Sequence, residues 1–304
     1  MFSNFQKTVK EIIELRGIGL HNGIKVDLVL KPAEANSGIK FKRTDVSSDK
    51  NIIEANFKNV TSPILCTKIK NSHGVSVSTI EHLMAAFYGE GIDNILVEVN
   101  APEIPIMDGS AFDFVSAIRS FGTEDQKYLK KFIKVLKKVE VKNGSKYISI
   151  EPLEKDLIID FEIVYKNPLI RTRRKTFKLS SGNLDAIYNS KTFCLYEDID
   201  QIKNQGLAKG GSLENAIVVQ GYKILNESGL RHRDEFVDHK ILDCLGDLML
   251  LRHRLFGHIK TSQGGHQLTN TLLREFFTNK SNWEFDSLEK NQKDSKYSSP
   301  IAVN

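Results

Sequence analysis

The sequence lacks the features that mark membrane-spanning, secreted or disulfide-stabilised proteins. Its 304 residues include three cysteines, and Cys66, Cys194 and Cys244 form no C-x-x-C pair of the kind found in disulfide frameworks or cysteine zinc sites. No apolar run approaches about 18 residues, which argues against a transmembrane helix. The charged N-terminal segment lacks the apolar stretch of a signal peptide. We therefore expect a soluble, cytoplasmic protein without a transmembrane segment.

Basic patches with interleaved aromatic residues are also missing. The formal net charge is +5, but the basic residues are dispersed along the chain. The densest runs, at residues 130–131 and 171–175, stand apart and lack the aromatic side chains of a single-strand nucleic-acid platform. We interpret both runs as solvated faces and expect no nucleic-acid partner. The modest positive charge also suits an anionic small-molecule substrate.

Hydrophobic patterning predicts strands and helices in both halves of the chain. Period-two or continuous apolar segments predict strands at residues 25–30 and 94–99 and within 132–165. Apolar residues at helical spacing predict helices at residues 79–88, 110–121, 182–189 and 234–254. In the second of these helices, the predicted buried face consists of Phe112, Val115, Ile118 and Phe121. Strict βαβ alternation is absent, so we predict an α+β fold.

The length and composition predict two domains of similar size. A hydrophobic content of 40% is enough for two cores, and the charged stretch between Gly122 and Lys138 suggests the boundary. We place an N-terminal domain at residues 1–126 and a C-terminal domain at residues 127–285. Residues 286–304 are rich in lysine, aspartate, serine and asparagine, which predicts a disordered tail.

The predicted helix 234–254 contains a candidate metal-binding pair. His239 and Asp243 are four residues apart, so they project from one face of the helix, and Asp247 extends the same row. A histidine and a carboxylate at this spacing can bind one metal ion. The same spacing is also common in simple surface ion pairs. A metal site therefore requires further ligands from elsewhere in the chain.

Glu81 and His82, near the start of the predicted helix 79–88, are candidates for that role. A catalytic zinc site needs three protein ligands, an open position and a nearby carboxylate that accepts a proton from water. His82 can supply a ligand and Glu81 the carboxylate. Ser78 and Glu81 also have the spacing of a capping box, which leaves a purely structural interpretation of Glu81 open.

His266 is a candidate general acid. It follows Gly264 and Gly265, a glycine pair that permits close approach of the backbone to a ligand. A histidine can donate a proton near neutral pH, and Asp247 can orient its imidazole. Taken alone, such a segment more often contains a loop or capping histidine.

Taken together, these segments resemble the UDP-3-O-acyl-N-acetylglucosamine deacetylase family. The matching motifs, in chain order, are GIGLHNG at 17–23, STIEHL at 78–83, NAPEIPIMDGS at 100–110, KTF at 191–193, GGS at 210–212, and the segments around His239 and His266. The likeness extends from about Arg16 to Trp283. It implies two similar layered sheet-plus-helix domains with the active site between them.

The resemblance also implies roles for individual residues. It implies a Zn²⁺ cofactor bound by His82, His239 and Asp243. It implies Glu81 as general base, His266 as general acid, Asp247 as the carboxylate that orients His266, and Thr192 as a hydroxyl that helps to bind the oxyanion. It implies substrate contacts from Phe193, Lys240 and Gly265, with weaker matches at His21 and Asp108. Cys194 departs from the glycine that is usual after the Thr-Phe pair.

The implied reaction is hydrolysis of the N-acetyl group of UDP-3-O-acyl-N-acetylglucosamine in lipid A biosynthesis. We expect the protein to be a monomer. The family's acyl-chain insert is expected near residues 158–177. Two alternatives remain open. A non-catalytic, metal-stabilised nucleic-acid-binding protein would have a closed four-ligand metal site and salt-dependent affinity. A zinc deacetylase for another amino sugar would share the same ligands.

Overall fold

The computed structural model describes residues 3–61 and 65–286, and its first half contains a five-stranded sheet. The strands are β1 (Phe5–Val9), β2 (Ile13–Ile18), β3 (Lys25–Pro32), β4 (Ile39–Arg43), β5 (Ile52–Glu54), β6 (Ile69–Lys70), β7 (Ser76–Val77), β8 (Ile95–Val99) and β9 (Thr123–Leu129). The sheet order is β2-β3-β8-β4-β5, with β4 and β8 parallel and the other neighbours antiparallel. Helices α1 (Glu81–Glu90) and α2 (Phe112–Phe121) pack against each other.

The second half contains a seven-stranded mixed sheet and a smaller three-stranded sheet. Its strands are β10 (Phe132–Val135), β11 (Val139–Asn143), β12 (Lys146–Glu151), β13 (Leu157–Ile163), β14 (Arg173–Lys178), β15 (Phe193–Leu195), β16 (Ile217–Gln220), β17 (Lys223–Ile224), β18 (Arg254–Ser262) and β19 (Trp283–Asp286). Its helices are α3 (Leu184–Tyr188), α4 (Ile199–Asn204), α5 (Glu235–Met249) and α6 (His266–Thr278). The long strand β18 pairs with β10, β12 and β13, and β15, β16 and β17 form the smaller sheet.

Helices α1 and α5 join the two halves, and they pack closely along one glycine. A Cβ atom at Gly246 of α5 would overlap the backbone carbonyl of Glu81 at the start of α1. Glycine is therefore required for the helices to approach this closely. The buried apolar residues of both halves form one continuous core, which includes Phe87 of α1 and Phe236 of α5. This packing places the start of α1 beside the middle of α5.

The predicted α+β fold is confirmed, and most predicted elements are present with altered ends. The helix predicted at 79–88 is α1, which ends at Gly91 in the left-handed conformation (φ 82°). The helix predicted at 234–254 ends earlier, at Met249, because Arg252 has a positive φ of 65° and Arg254 begins β18. The predicted buried face of α2 is partly wrong. Phe112 and Phe121, at the two ends of this helix, are each 43% exposed, and Phe114 is buried instead.

The predicted division into domains is not tested by the structure and stays a prediction. Its boundary between residues 126 and 127 lies within β9, which pairs with β1 near the start of the chain. Residue 286 of the predicted tail is the last residue of β19, which pairs with β10. Residues 287–304 lie outside the described residues. Across the described ranges, no helix combines the length and apolarity needed to span a membrane.

One charge interpretation is wrong. Lys130, expected on a solvated face, is buried, and its Nζ atom lies 2.8 Å from Asp93 Oδ2 and donates to the carbonyl of Gly91. In the other basic run, Lys175 donates to the buried carboxylate of Asp238, 2.7 Å away. Local sequence did not reveal these partners because they come from distant elements.

Candidate active site

The start of α1 places Glu81 and His82 at the junction of the two halves. Thr79 has a positive φ of 57°, and its hydroxyl donates to Glu103 Oε1 at 2.8 Å. The predicted capping box is not formed, because the amide of Ser78 donates to Pro102 rather than to Glu81. The buried Glu81 carboxylate instead accepts a hydrogen bond from the amide of Thr67, at 3.0 Å. Its side chain is therefore not engaged in capping the helix.

The structure brings together His82, His239 and Asp243 as a candidate metal-binding cluster. Their ligand atoms all lie within 4.8 Å of one another, and all three residues are buried. Asp243 Oδ1 is 3.7 Å from His82 Nε2 and 3.5 Å from His239 Nε2. Tetrahedral ligands at about 2.1 Å from a zinc ion are about 3.4 Å apart. The spacing therefore fits a metal ion bound by these three atoms.

Neighbouring contacts orient two of these three side chains. The backbone carbonyl of Ser190 lies 3.0 Å from His239 Nδ1, so Nδ1 donates to it and Nε2 is left as the metal-binding atom. Lys240 donates to Asp243 Oδ2 at 2.6 Å, which leaves Oδ1 facing the two histidines. Two imidazoles and one carboxylate form a ligand set used by catalytic zinc sites.

Glu81 and His266 face each other beside this cluster. His266 Nε2 lies 3.7 Å from Glu81 Oε1. Burial raises the pKa of Glu81 to about 7, with the charge of His266 opposing this rise and that of Asp243 adding to it. The carboxylate is therefore a base of useful strength near neutral pH.

The pKa of His266 is raised further, so this residue favours its protonated form at neutral pH. Asp247 Oδ2 lies 2.9 Å from His266 Nδ1. Burial acts to lower the pKa of His266, but the charge and hydrogen bond of Asp247, together with the charge of Glu81, outweigh burial and raise it to about 9. Between about pH 7 and pH 9, an ionised Glu81 carboxylate and a protonated His266 imidazole therefore lie side by side, which is the combination that paired acid and base catalysis uses.

Comparison with known proteins matches the sequence of this chain to one family. The family model described as "LpxC: UDP-3-O-acyl N-acetylglycosamine deacetylase" matches residues 6–278. This chain belongs to the UDP-3-O-acyl-N-acetylglucosamine deacetylase family. Proteins named UDP-3-O-acyl-N-acetylglucosamine deacetylase include one from Actinobacillus succinogenes that is 44% identical over 291 residues, covering 95% of each chain. One from Vibrio campbellii is 43% identical over 300 residues, covering 98% of this chain and 96% of its own.

The family motif K-T-F places Thr192 and Phe193 at the edge of the candidate metal cluster. The amide of Thr192 donates to Gly109 at 2.8 Å, and the amide of Lys191 donates to the buried Glu235 of α5 at 3.0 Å. Both contacts fix the backbone next to the Thr192 hydroxyl. The ring of Phe193 packs edge-on against Phe236, with centroids 4.9 Å apart.

A polar cavity opens over the cluster. Four residues implied by the family resemblance line it together with the ligands and the acid–base pair: Thr192, Phe193, Lys240 and Gly265. Lys146 and Tyr165 also line it, and neither was identified from the sequence. The cavity is therefore bounded by both halves of the chain.

A second, mainly apolar cavity of about 400 Å³ shares Thr192 and Phe193 with the first. It is lined largely by the unit formed by β15, α4 and β16, including Ile199, Ile202 and Val218. The position of the acyl-chain insert, expected near residues 158–177, is not tested by the structure and stays a prediction. Those residues, all of which the structure describes, form β13, β14 and their connection, and β13 pairs with β18 in the seven-stranded sheet.

His21 and Asp108, the weaker matches, lie in different settings. His21 lines the apolar cavity, and its two ring nitrogens have no hydrogen-bond partner among the described residues. Burial lowers the pKa of His21, so it favours the neutral form. Asp108 forms an ion pair with Arg231 at 2.6 Å and lies behind Thr192, adjacent to Gly109. Its position suits support of the loop rather than contact with a ligand.

Sequence reasoning missed three residues that hold the site together. Glu103 accepts hydrogen bonds from the amides of His21 and Asn22 and from Thr79, and so connects two of the family motifs. Thr67 contacts both Glu81 and Asp247, and Gly246 permits the approach of α5 to α1. For Glu103, the sequence signal was the presence of an acidic residue within the NAPEIPIMDGS motif. Neither Thr67 nor Gly246 had a comparable local signal.

Proposed function

We propose that this protein hydrolyses the N-acetyl group of UDP-3-O-acyl-N-acetylglucosamine, giving UDP-3-O-acyl-glucosamine and acetate for lipid A biosynthesis. Membership in the deacetylase family and the names of the relatives support this reaction. The observation that favours it most is the juxtaposition of a buried two-histidine, one-aspartate cluster with the Glu81–His266 pair. The absence of a membrane-spanning helix in the described residues is compatible with action in the cytoplasm.

Zinc is the metal that best suits the donor set of His82, His239 and Asp243. When bound there, it supplies Lewis acidity, which polarises an amide carbonyl and makes water acidic enough to attack near neutral pH. The hydrogen bonds from His239 to Ser190 and from Lys240 to Asp243 hold the ligands in position for it.

The protein's own side chains then move the protons. Glu81 accepts a proton from the water whose oxygen attacks the acetamide carbon. The Thr192 hydroxyl faces the carbonyl oxygen as it becomes negatively charged, a contribution commonly worth about 3 kcal/mol for one donor. His266 donates its Nε2 proton to the amide nitrogen as the C–N bond breaks. The amine and acetate leave, and Asp247 keeps the imidazole oriented throughout.

The two cavities suit the two ends of this substrate. The apolar cavity has room and chemistry for an acyl chain, with His21 and Phe193 at its wall. Lys146 and Lys240 place positive charge in the polar cavity, where a diphosphate requires it. Phe193 lines both cavities and therefore lies between the acyl and sugar-nucleotide positions.

The test is a deacetylation assay on UDP-3-O-acyl-N-acetylglucosamine, with the metal removed by chelation and zinc then restored. Acetate release that stops on chelation and returns with zinc is expected. UDP-N-acetylglucosamine without the acyl chain is the matched control, and its kcat/KM should be lower by about 100-fold or more because the apolar cavity is left empty. Equal turnover of both compounds would indicate a different amino-sugar substrate, and no turnover of either would refute the proposal.

A further inference from the structure

Thr67 lies behind the proposed acid–base pair, and all three of its polar groups are engaged there. This residue precedes β6 and is 1% exposed. Its amide donates to Glu81 Oε2 at 3.0 Å, and its carbonyl accepts from the amide of Ile80 at 3.4 Å. Its hydroxyl donates to Asp247 Oδ1 at 2.6 Å. One buried residue thus contacts the start of α1 and the last turn of α5.

The hydroxyl of Thr67 determines how Asp247 presents its carboxylate. An ionised carboxylate can only accept hydrogen bonds, so the hydroxyl must be the donor. Thr67 engages Oδ1, and His266 Nδ1 engages Oδ2 at 2.9 Å. With each oxygen bound to one donor, rotation of the carboxylate would break both hydrogen bonds. The orientation of the His266 imidazole therefore depends on Thr67 through Asp247.

The amide of Thr67 has a corresponding effect on Glu81. It binds Oε2, which leaves Oε1 on the side facing His266 Nε2, 3.7 Å away. The gap that the described residues leave beside Thr67, Asp247 and His266 is too small for a water molecule. Water therefore cannot take over the contact of the hydroxyl with Asp247.

We propose that Thr67 is a positioning residue that aligns the general base and the general acid of the proposed deacetylation. Its amide sets the rotation of the Glu81 carboxylate, and its hydroxyl sets that of Asp247 and hence of His266. Thr67 does not line the polar cavity formed by the described residues, so it acts through these groups rather than on the substrate. This inference rests on the proposed function.

Thr67→Val tests the hydroxyl, because valine keeps the shape and burial of threonine and removes the donor. Its kcat should fall by about 10- to 100-fold, the usual scale for losing an outer hydrogen-bond partner at such a site. KM should stay within about twofold, since the lost interaction matters in the transition state. Bound zinc should be unchanged. Thr67→Ser, which restores a hydroxyl, should recover kcat to within about threefold of the wild type.

A double variant separates positioning from a general structural role. If Thr67 acts through His266, then Thr67→Val should reduce the activity of the His266→Ala protein by less than about twofold. Thr8→Val is the matched control, because Thr8 is buried in β1 and its hydroxyl accepts from the amide of Ala33. That variant should lose stability to a similar extent while keeping its kcat.

The outcomes distinguish this inference from the proposed function on which it rests. An inactive wild-type protein would refute the proposed function itself. An active wild type with a Thr67→Val kcat within threefold of it would overturn the role of Thr67. A serine variant as slow as the valine variant, or equal losses with and without His266, would overturn it as well. The proposal is supported if Thr67→Val lowers kcat, Thr67→Ser restores it, and Thr67→Val has little further effect in the His266→Ala protein.

Discussion

The two ends of α1 each contact a buried group of charged side chains, but the two groups differ in how completely they are paired. At the C-terminal end, Lys130 donates to Gly91 and Arg254 donates to the carbonyl of Tyr88, and both cations contact Asp93. These cations lie at the negative end of the helix dipole. Each of these two cations therefore contacts both a carboxylate and a backbone carbonyl within the protein.

The N-terminal group contains an excess of acceptors. Among the described residues, Asp243 Oδ1 and Nε2 of His239, whose Nδ1 donates to Ser190, are both acceptors 3.5 Å apart, and His82 Nε2 lies 3.7 Å from the same carboxylate oxygen. Such an arrangement is unfavourable unless a cation is bound. We infer from this comparison that one end of α1 serves stability and that the other is a candidate site for metal binding and chemistry. The following changes test that difference, from the largest expected effect to the smallest.

His239→Ala removes one of the three candidate ligands at the N-terminal end. Bound zinc should fall well below one equivalent and turnover by roughly 10⁴-fold, because both the Lewis acid and the shape of the site are lost. Elemental analysis and the deacetylation assay measure the two effects. Stoichiometric zinc together with near-normal turnover in this variant would remove His239 from the ligand set.

Asp93→Asn changes the C-terminal end, where it leaves Lys130 and Arg254 without their shared counter-charge. The free energy of unfolding should fall by about 3 kcal/mol, the scale for breaking a buried ion pair. Turnover per folded, zinc-loaded molecule should stay unchanged. Chemical denaturation and the assay give both values.

The matched control is Asp125→Asn, because Asp125 pairs with Lys7 at the surface, 3.9 Å away. Its loss should be about 0.5 kcal/mol or less. A large loss of turnover in Asp93→Asn, with zinc retained, would contradict the separation of the two ends.

Glu81→Gln removes the proposed base while keeping an acceptor for the amide of Thr67. Turnover should fall by about 100-fold at normal zinc content. The folded-state pKa of Glu81 is raised to about 7, so its stabilising contribution in the metal-free protein is largest below about pH 4.5 and is lost as pH rises towards 7.

Above pH 7, metal-free Glu81→Gln should therefore melt no lower than the metal-free wild type. Glu90→Gln, at the other end of α1, should leave turnover unchanged. If Glu81→Gln retained wild-type turnover, the base would have to be another group.

Gly246→Ala and Gly89→Ala compare the effect of an added methyl group near the start and near the end of α1. The added methyl group would overlap the carbonyl of Glu81 in the first variant and the hydroxyl of Tyr188 in the second. Each should cost about 1–3 kcal/mol of stability. Only Gly246→Ala should also lower kcat, since it displaces α5 relative to Glu81. Equal kcat values for the two variants would show that the spacing between α1 and α5 does not control the chemistry.

Short-range patterns in the sequence were enough to predict the local parts of the candidate site. Helical periodicity was sufficient to place His239 and Asp243 on one face of α5 and to start a helix near Glu81 and His82. The motifs identified the family, and patterning gave the α+β class. These features depend on residues that are a few positions apart or lie in one short segment. Over that range, backbone geometry fixes the positions of side chains relative to one another.

The contacts and cavities around these residues depend on the tertiary structure. The contact between Thr67 and Asp247 joins positions 180 residues apart, and the approach of α5 to α1 depends on Gly246. The capping interpretation of Glu81 failed because Ser78 pairs with Pro102. The apolar cavity is formed by the unit around α4 and not by residues 158–177, and Lys130 is buried by contacts with other elements. All of these contacts depend on how elements distant in the sequence pack against each other. The spacing of residues within a short segment does not predict that packing.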